Sequence, residues 1–451
     1  MDENSRLSHR KEKILKAPTT SGCEIQVEGL CLGDDSDIPL SSMKQIFTDC
    51  DGDRLEKILE QKLKEYRGEL VFKIGVEESG ESMNMTSDEC TSAFELTKQC
   101  ADRLNADVGV LNTQGMEDDK SINFSKNSKK FPSMVVMIRR RVVSAQDSIE
   151  IRVACVGNVD SGKSTMLGVL TKGDLDDGRG KARVNLFRHK HEIESGRTSS
   201  VGMEIMGFDS CSKPVVSGVR KMSWEEVSSR SAKVISFFDL AGHEKYLKTT
   251  VFGLCGYAPD YVMLMIGANA GLTGMSKEHL GIALALQVPI FVIITKIDMT
   301  PPNVLEETIK QLTKILKSSG VRKIPLFVKS KDDAILAATH SVGGRVCPVF
   351  SVSNVTGEGV DYVKSFLNIL PANGQFFNDD KFEVQISDVF NVPFVGCVVS
   401  GVVNSGIVKT IFFLPTFLYG PLGGGGRIFF YIVLLIGFIL FTFIFNNLLN
   451  K

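Results

Sequence analysis

A glycine-rich run at residues 157–164 has the residue types needed to hold a phosphate group. It reads GNVDSGKS and follows the apolar run IRVACV. Glycines let backbone N–H groups curl around a phosphate, a lysine neutralises its oxygens, and a serine hydroxyl can bind Mg²⁺. A helix beginning here would add the partial positive charge of its N-terminus. The predicted phosphate-binding residues are Gly157, Asn158, Val159, Asp160, Ser161, Gly162, Lys163, Ser164 and Thr165.

Three further polar motifs each follow an apolar run. VISFF leads into Asp239-Leu240-Ala241-Gly242, where the carboxylate can hold the Mg²⁺ shell and the Gly242 N–H can meet a γ-phosphate. The apolar run VPIFVIIT leads into Lys296-Ile297-Asp298. The Asp298 carboxylate can accept hydrogen bonds from guanine N1 and N2, and adenine does not present donors in that arrangement. The pattern therefore favours GTP over ATP. The residues predicted to contact the base or the phosphate loop are Thr295, Lys296, Asp298, Ser353, Asn354 and Val355.

The positions of these motifs predict the elements that carry them. Each motif follows a strand-like run, so a doubly wound, mainly parallel sheet would gather all of them along its carboxyl edge. We therefore predict an α/β fold with a P-loop GTPase domain over residues 148–372. Helical spacing of Leu55, Leu59 and Leu63, alternation over residues 70–76 and a capping box at Thr86 predict a small N-terminal α/β domain over residues 23–147. Residues 1–22 are polar and predicted to be disordered.

Together the motifs resemble those of the translational GTPase superfamily, to which elongation factor Tu belongs. The long run FRHKHEIESGRTSSVGMEIMGFD at 187–209 is similar to the narrower group usually called GTP-binding proteins one and two. The resemblance covers residues 23 to about 409. The other motifs that carry it are GNVDSGKST, DLAGHEKYLKTT, TKID, SVSNVTGEG and the N-terminal ELVFKIGVEESG.

The resemblance implies roles for three more positions. Ser200 falls where the superfamily's RGITI motif has its Mg²⁺-binding threonine, and the hydroxyls of Thr198 and Ser199 are close enough to be alternatives. His243 falls where the superfamily has the histidine that orients the attacking water. Thr295 stands where asparagine is usual, so one base or phosphate-loop contact is expected to be weaker. The implied metal ligands are Ser164, Ser200 and Asp239, and the implied catalytic residues are Lys163 and His243.

The function that the resemblance implies is that of an enzyme, a GTPase. It would hydrolyse GTP to GDP and phosphate with Mg²⁺ bound beside the nucleotide, and act as a switch in translation or RNA turnover with tRNA, mRNA or the ribosome as partners. The near-neutral charge of −1 and 43% hydrophobic content are typical of a globular protein. Ten scattered cysteines and the polar start MDENSRLSHRKEKILK favour the cytosol.

Two basic segments have alternative interpretations. Lys126, Lys129, Lys130 and Arg139 to Arg141 could form an RNA-binding patch, or a solvated loop and strand end, which we favour. Residues 183–190, with His189 and His191, could form a metal or RNA element, but we favour a polar arm of the switch region.

The C-terminal part departs from the superfamily. Residues 380–409 resemble the first strands of the β-barrel that follows the GTPase domain, so an incomplete barrel is predicted, followed by a divergent hydrophobic tail at 410–451. Residues 428–445 carry no charge, and as a helix they would span about 27 Å, close to a bilayer core of roughly 30 Å. A tail-anchored membrane helix is one interpretation, and a buried strand or core helix is another. Thymine-rich codons would also encode such residues, as in an alternative exon or retained intron.

An incomplete barrel leads to an alternative function. Open strand edges expose unpaired backbone groups, and the barrel domains help to bind aminoacylated tRNA in the superfamily. The alternative is therefore a truncated GTP-binding decoy, or a tail-anchored GTPase, without tRNA-delivery activity.

Overall fold

Three β-sheets organise the part of the chain that the computed structural model describes. Residues 1–22, which are predicted to be disordered, lie outside that part, as do Lys126, Lys129, Lys130, His189 and His191. The predicted domain boundaries stay predictions. The structure describes residues 43–77, 80–115, 132–142, 148–184, 186–187, 190, 192, 198–215, 222–340, 344–372, 380–392, 396–406, 418–419 and 429–434.

The first sheet is antiparallel, with the strand order β1-β3-β2. Leu55, Leu59 and Leu63 are buried along one side of α2, as their spacing predicts. The Thr86 hydroxyl accepts a hydrogen bond from the Glu89 N–H and the Glu89 carboxylate accepts one from the Thr86 N–H, so the predicted capping box begins α3. These elements are α1 (Met43–Thr48), α2 (Gly52–Glu65), β1 (Glu69–Ile74), α3 (Ser87–Arg103), β2 (Ala106–Gln114) and β3 (Ser133–Arg140).

The second sheet has eight strands in the order β10-β11-β9-β8-β4-β7-β5-β6. Neighbouring strands from β10 to β7 are parallel, while β5 and β6 form an antiparallel edge. The predicted mainly parallel α/β sheet is thus confirmed. Its strands are β4 (Ile149–Gly157), β5 (Gly202–Phe208), β6 (Pro214–Val215), β7 (Lys233–Asp239), β8 (Tyr261–Gly267), β9 (Ile290–Thr295), β10 (Ile324–Val328) and β11 (Val346–Ser351).

Helices cover both faces of this sheet. Ile151 and Val153 of β4 lie in one apolar cluster, while Ala154 and Val156 lie in another, because side chains alternate between the two faces of a strand. Every residue of β7, β8 and β9 is buried, as expected for central parallel strands. The helices are α4 (Lys163–Lys172), α5 (Lys181–Val184), α6 (Trp224–Arg230), α7 (Leu247–Gly256), α8 (Gly274–Ala285), α9 (Pro302–Leu316), α10 (Lys331–His340) and α11 (Val360–Ile369).

A buried charge cluster joins the first sheet to the second. Glu69 on β1 lies 2.5 Å from Nη2 of Arg139 on β3 and 2.9 Å from Nζ of Lys233 on β7. Arg139 also donates to the Asn368 side chain at 2.9 Å, and Lys233 donates to the Leu370 carbonyl at 2.6 Å. Arg139 is only 1% exposed, so for this residue both interpretations, an RNA-binding patch and a solvated strand end, are wrong. The Arg139 guanidinium is paired with Glu69 and Asn368 inside the protein, because a buried guanidinium requires acceptors.

The third sheet has the order β12-β13-β15-β14. The strand pair predicted as the start of a barrel is the antiparallel hairpin of β12 and β13. Residues 429–434 of the predicted membrane helix form a strand paired with β13 instead, so the helix prediction is wrong there. Aromatic and β-branched residues suit a strand, and β13 offers backbone groups to pair with. The strands are β12 (Glu383–Val392), β13 (Gly396–Ser405), β14 (Leu418–Tyr419) and β15 (Phe429–Leu434).

Membrane insertion finds no support in the described part of the chain. None of the helices described there is both long and apolar enough to cross a bilayer. Residues 435–445, which are the rest of the segment predicted as a membrane helix, lie outside the described residues.

His279 on α8 is fully buried, and neither ring nitrogen has a hydrogen-bond partner among the described residues. Burial, together with the positive charge of Lys163, lowers the pKa of His279 to about 4. The histidine is therefore neutral in the folded protein down to that pH, whereas the unfolded chain takes up the proton near its ordinary pKa of about 6.5. Stability should consequently fall as the pH falls through this window.

We expect His279→Leu to remove most of this pH dependence. The wild-type protein should lose about 3 kcal/mol of unfolding free energy from this group between pH 6.5 and pH 4, and the variant should not. Urea unfolding at a series of pH values measures both proteins, whose other titratable groups are the same. Parallel stability curves for the two proteins would contradict the assignment.

Candidate functional site

The loop after β4 has the backbone shape of a phosphate-binding loop. Gly157, Asp160 and Gly162 have φ values of 150°, 58° and 83°. Positive φ is readily adopted by glycine, which explains two of the three positions. Helix α4 begins at Lys163, and no side chain caps it at Gly162, so its first N–H groups are left for an anion.

The Lys163 side chain lies across this loop. Its Nζ donates to the carbonyls of Asn158 at 2.9 Å and Gly157 at 3.2 Å. Burial lowers the pKa of Lys163, and the nearby Asp239 carboxylate partly offsets that effect. A buried ammonium held by carbonyl oxygens is stabilised further by an anionic ligand.

An open cavity adjoins the loop and the start of α4. Six of the predicted phosphate-loop residues line it, Lys163 among them, and so does the other predicted catalytic residue, His243. Arg183 and Thr198 line it too, although the sequence interpretation assigned Arg183 to a polar arm and preferred Ser200 to Thr198 as the metal ligand. The lining residues are Val159, Asp160, Gly162, Lys163, Ser164, Thr165, Arg183, Thr198, Gly242 and His243.

Three side-chain oxygen groups meet at the base of the cavity. The Ser164 hydroxyl lies 2.5 Å from Oδ2 of Asp239 and 2.9 Å from the Thr198 hydroxyl. Burial raises the pKa of Asp239, while Lys163 and the hydrogen bonds of Ser164 and Thr198 oppose that rise. Oδ1 of Asp239 is buried with no hydrogen-bond partner among the described residues. Such hard oxygen donors fit Mg²⁺.

Ser200, the predicted metal ligand, lies elsewhere. Its hydroxyl donates to Glu192 at 3.1 Å, and the Ser199 hydroxyl donates to the same carboxylate oxygen at 2.9 Å. Thr198 takes the place beside Ser164 and Asp239 instead. The structure therefore places Thr198, and not Ser200, beside Ser164 and Asp239, while the Glu192 carboxylate binds the hydroxyls of both serines.

Gly242 and His243 follow β7 at the same edge. A Cβ atom on Gly242 would lie 2.6 Å from the Gly157 carbonyl oxygen and 2.8 Å from the Asn158 carbonyl carbon, so a side chain has no room there. His243 is exposed, and its Nδ1 accepts a hydrogen bond from the Lys245 N–H at 3.1 Å. That bond leaves Nε2 as the ring nitrogen able to meet a water in the cavity.

The predicted base-binding residues follow β9 and β11. The Thr295 hydroxyl donates to the Ser161 carbonyl at 2.8 Å, so the contact to the phosphate loop that was expected to weaken is present. Lys296 has φ of 63°, and Asp298 is exposed at the same turn. Oδ1 of Asn354 is buried without a hydrogen-bond partner among the described residues.

The Ser353 side chain holds the loop after β11 in place by hydrogen bonds to the backbone. The Ser353 hydroxyl accepts hydrogen bonds from the N–H groups of Val355 at 3.3 Å and Thr356 at 3.1 Å. A Cβ on Gly162 would lie 3.7 Å from Nδ2 of Asn354 and 3.5 Å from the Thr295 hydroxyl. The base-side loops therefore lie directly beside the phosphate loop, and the carboxyl edge of the sheet brings all four motifs together.

Comparison with known proteins agrees with this geometry. The family model "Elongation factor Tu GTP binding domain" matches residues 149–400. GTP-binding protein 1 of Xenopus laevis is 45% identical over 86% of this chain and 58% of its own length. GTP-binding protein 2 of Homo sapiens is 43% identical over 79% of this chain and 59% of its own length.

A more distant relative is similar to part of the chain. The selenocysteine-specific elongation factor of Escherichia coli is 26% identical over 57% of this chain and 33% of its own length. This chain spans less than two thirds of the length of each of these relatives. The family match covers more than half of the chain and includes all four motifs of the site. The chain therefore belongs to the elongation factor Tu GTP-binding domain family.

Proposed function

We propose that this chain binds GTP and hydrolyses it to GDP and phosphate. One observation carries the proposal: the phosphate loop, the Ser164–Asp239–Thr198 oxygen cluster and Asp298 lie together at the carboxyl edge of one parallel sheet. Ligands bind at this edge in open α/β sheets. Asp298 supplies the carboxylate that distinguishes guanine from adenine.

Hydrolysis by this site is a transfer of the γ-phosphoryl group to water. The water oxygen forms a bond to the γ-phosphorus while the bond from that phosphorus to the bridging oxygen breaks. The electron pair of the broken bond stays on GDP, and the water proton passes to the released phosphate. Lys163 and the N–H groups of the loop stabilise the charge on the transferring group, while His243 orients the water.

The residues that would hold Mg²⁺ are Ser164, Thr198 and Asp239. When bound, the metal would neutralise charge on the β- and γ-phosphate oxygens. The buried, unpartnered Oδ1 of Asp239 supports this assignment.

We expect His243→Ala to lower GTP hydrolysis by about 10²-fold or more, because losing the orientation of a reacting group by about an ångström can cost about that much. GTP and GDP affinities should change little, since His243 is exposed at the rim of the site. Single-turnover hydrolysis and nucleotide titration measure the two effects. Wild-type hydrolysis by a variant that binds GTP normally would refute the assigned role.

The same wild-type measurements test the proposed function. GTP should bind in preference to ATP and be converted to GDP and phosphate in the presence of Mg²⁺. A chain that binds neither nucleotide, or binds ATP as tightly as GTP, would overturn the proposal.

For the cellular role we propose a switch in translation or RNA turnover, with tRNA, mRNA or the ribosome as partner. The relationship to elongation-factor GTPases supports this role. Association of the chain with ribosomes or tRNA, measured with GTP and with GDP, tests this role. Equal affinity with the two nucleotides would contradict a switch. The decoy and tail-anchored alternatives have no observation in their favour, and a cytosolic location stays a prediction.

A further inference from the structure

The segment between α4 and β5 brings a second cation to the nucleotide cavity. Arg183 lies on the short helix α5 and lines the cavity together with Lys163, Ser164 and His243. The sequence interpretation placed this residue in a polar arm. The structure places it among the residues that surround the proposed phosphates.

Hydrogen bonds within residues 176–182 hold the segment in this position. The buried carboxylate of Asp176 accepts from the N–H groups of Gly178, Gly180 and Ala182 at 3.1, 3.2 and 3.0 Å. Asp177 accepts from the N–H groups of Arg179 and Lys181 at 2.8 and 3.2 Å. Two adjacent carboxylates thus organise the backbone that leads into Arg183.

The segment is also attached to both sides of the site. The Asp176 N–H donates to the Asn354 carbonyl at 2.9 Å, which ties it to the base-side loop. On the other side, a Cβ on Gly168 of α4 would lie 3.2 Å from the Cβ of Ala182, so α5 packs closely on α4. Arg183 is therefore carried by a backbone that is fixed relative to the phosphate loop.

The Arg183 side chain is placed to meet an anion. It is half-buried and passes over Gly180, where a Cβ would lie 3.0 Å from the Arg183 Cζ. Among the described residues it forms no ion pair, unlike Arg139 and Arg141, whose charges are matched by carboxylates. A guanidinium lining a cavity without a carboxylate partner is suited to a phosphate.

We propose that Arg183 is a catalytic residue, whose guanidinium binds the nucleotide triphosphate and stabilises the charge that develops during γ-phosphoryl transfer. This inference rests on the proposed function. Lys163 approaches the phosphates from the loop, and Arg183 supplies a second positive charge from the segment after α4. An arginine contributed in this way by the chain itself acts on the transition state more than on the bound substrate.

The test compares Arg183→Ala and Arg183→Lys with the wild-type protein. Single-turnover GTP hydrolysis measures the chemical step, and titration with GTP and GDP measures ground-state binding. Formation of a complex with GDP, Mg²⁺ and aluminium fluoride measures recognition of the transferring phosphoryl group. Arg179→Ala is the matched control, because Arg179 is exposed on the same segment and does not line the cavity.

We expect Arg183→Ala to lower hydrolysis at least about 10²-fold and to abolish the aluminium fluoride complex, while GDP affinity changes by less than about threefold. Retained GDP affinity shows that the variant is folded. Arg183→Lys should recover part of the rate, because it keeps the charge and loses the planar pair of donors. Arg179→Ala should behave as wild type.

Two outcomes would overturn the inference alone, with wild-type GTP hydrolysis intact. One is hydrolysis by Arg183→Ala within about threefold of wild type. The other is a fall in GTP affinity that accounts for the whole loss, which would make Arg183 a substrate-binding residue. A wild-type chain that does not bind or hydrolyse GTP would overturn the proposed function and this inference with it.

Discussion

Glu69→Ala is expected to lower the free energy of unfolding by about 3–5 kcal/mol, because it removes the negative partner of a buried charge cluster. Arg139 and Lys233 are 1% and 0% exposed, and Glu69 is the carboxylate that contacts both. Burial by itself would raise the pKa of Glu69, but the charges of Arg139 and Lys233 and their hydrogen bonds hold it below its ordinary value.

The two cations should respond differently to this loss. Burial already lowers the pKa of Lys233 to about 8 despite the opposing charge of Glu69. Lys233 can therefore lose its proton in the variant, which limits its contribution. Most of the expected destabilisation therefore comes from Arg139, whose buried guanidinium would be left without its carboxylate partner.

Two variants separate charge from packing. Glu69→Gln keeps the shape and one acceptor, so it should lie between wild type and Glu69→Ala. Glu60→Ala is the matched control, since its contact with Lys64 is an exposed pair one turn apart and such pairs contribute little to stability. Urea unfolding measures all three. A loss below about 1 kcal/mol for Glu69→Ala would show that the cluster does not join the sheets energetically.

Gly242→Ala is expected to weaken GTP hydrolysis by about 10²-fold or more, because misplacing a catalytic loop by an ångström costs about that much. The added Cβ would meet backbone atoms of Gly157 and Asn158 at 2.6 and 2.8 Å. Backbone cannot rotate away as a side chain can. Either the phosphate loop or the turn that carries His243 must therefore shift.

A second glycine supplies the control. A Cβ on Gly281 of α8 would meet nothing within 4 Å, and alanine inside a helix is favoured over glycine by about 1 kcal/mol. Gly281→Ala should therefore retain hydrolysis and gain slightly in stability. Nucleotide titration, single-turnover hydrolysis and thermal unfolding distinguish a local loss at the site from a failure to fold. Normal hydrolysis by Gly242→Ala would contradict the close approach.

Much of the site was predictable from local patterns. The phosphate loop depends on residues adjacent in the chain, and its strand and helix are specified by the apolar runs on either side. Asp239 and Asp298 could be placed because each directly follows a strand run, and parallel strands end at one edge. For Thr295 the sequence predicted a contact with the base or the phosphate loop, but it could not identify the partner atom, the Ser161 carbonyl, which is 134 residues away along the chain.

The C-terminal segment shows the opposite case. Residues 429–434 are apolar without alternation, a pattern that fits a membrane helix, a core helix or a strand equally well. Pairing with β13 makes them a strand. The backbone partner therefore decided the conformation, and composition could not.

By itself the sequence determined the family, the phosphate loop and the order of strands that assembles the site, because these depend on spacing over short stretches of chain. Only the tertiary structure decided that Thr198 replaces Ser200 beside Asp239, that Arg183 enters the cavity, and that Glu69 lies between Arg139 and Lys233. Each of these depends on which residues the folded chain brings within a few ångströms, and hydrogen bonds and ion pairs act only over such distances.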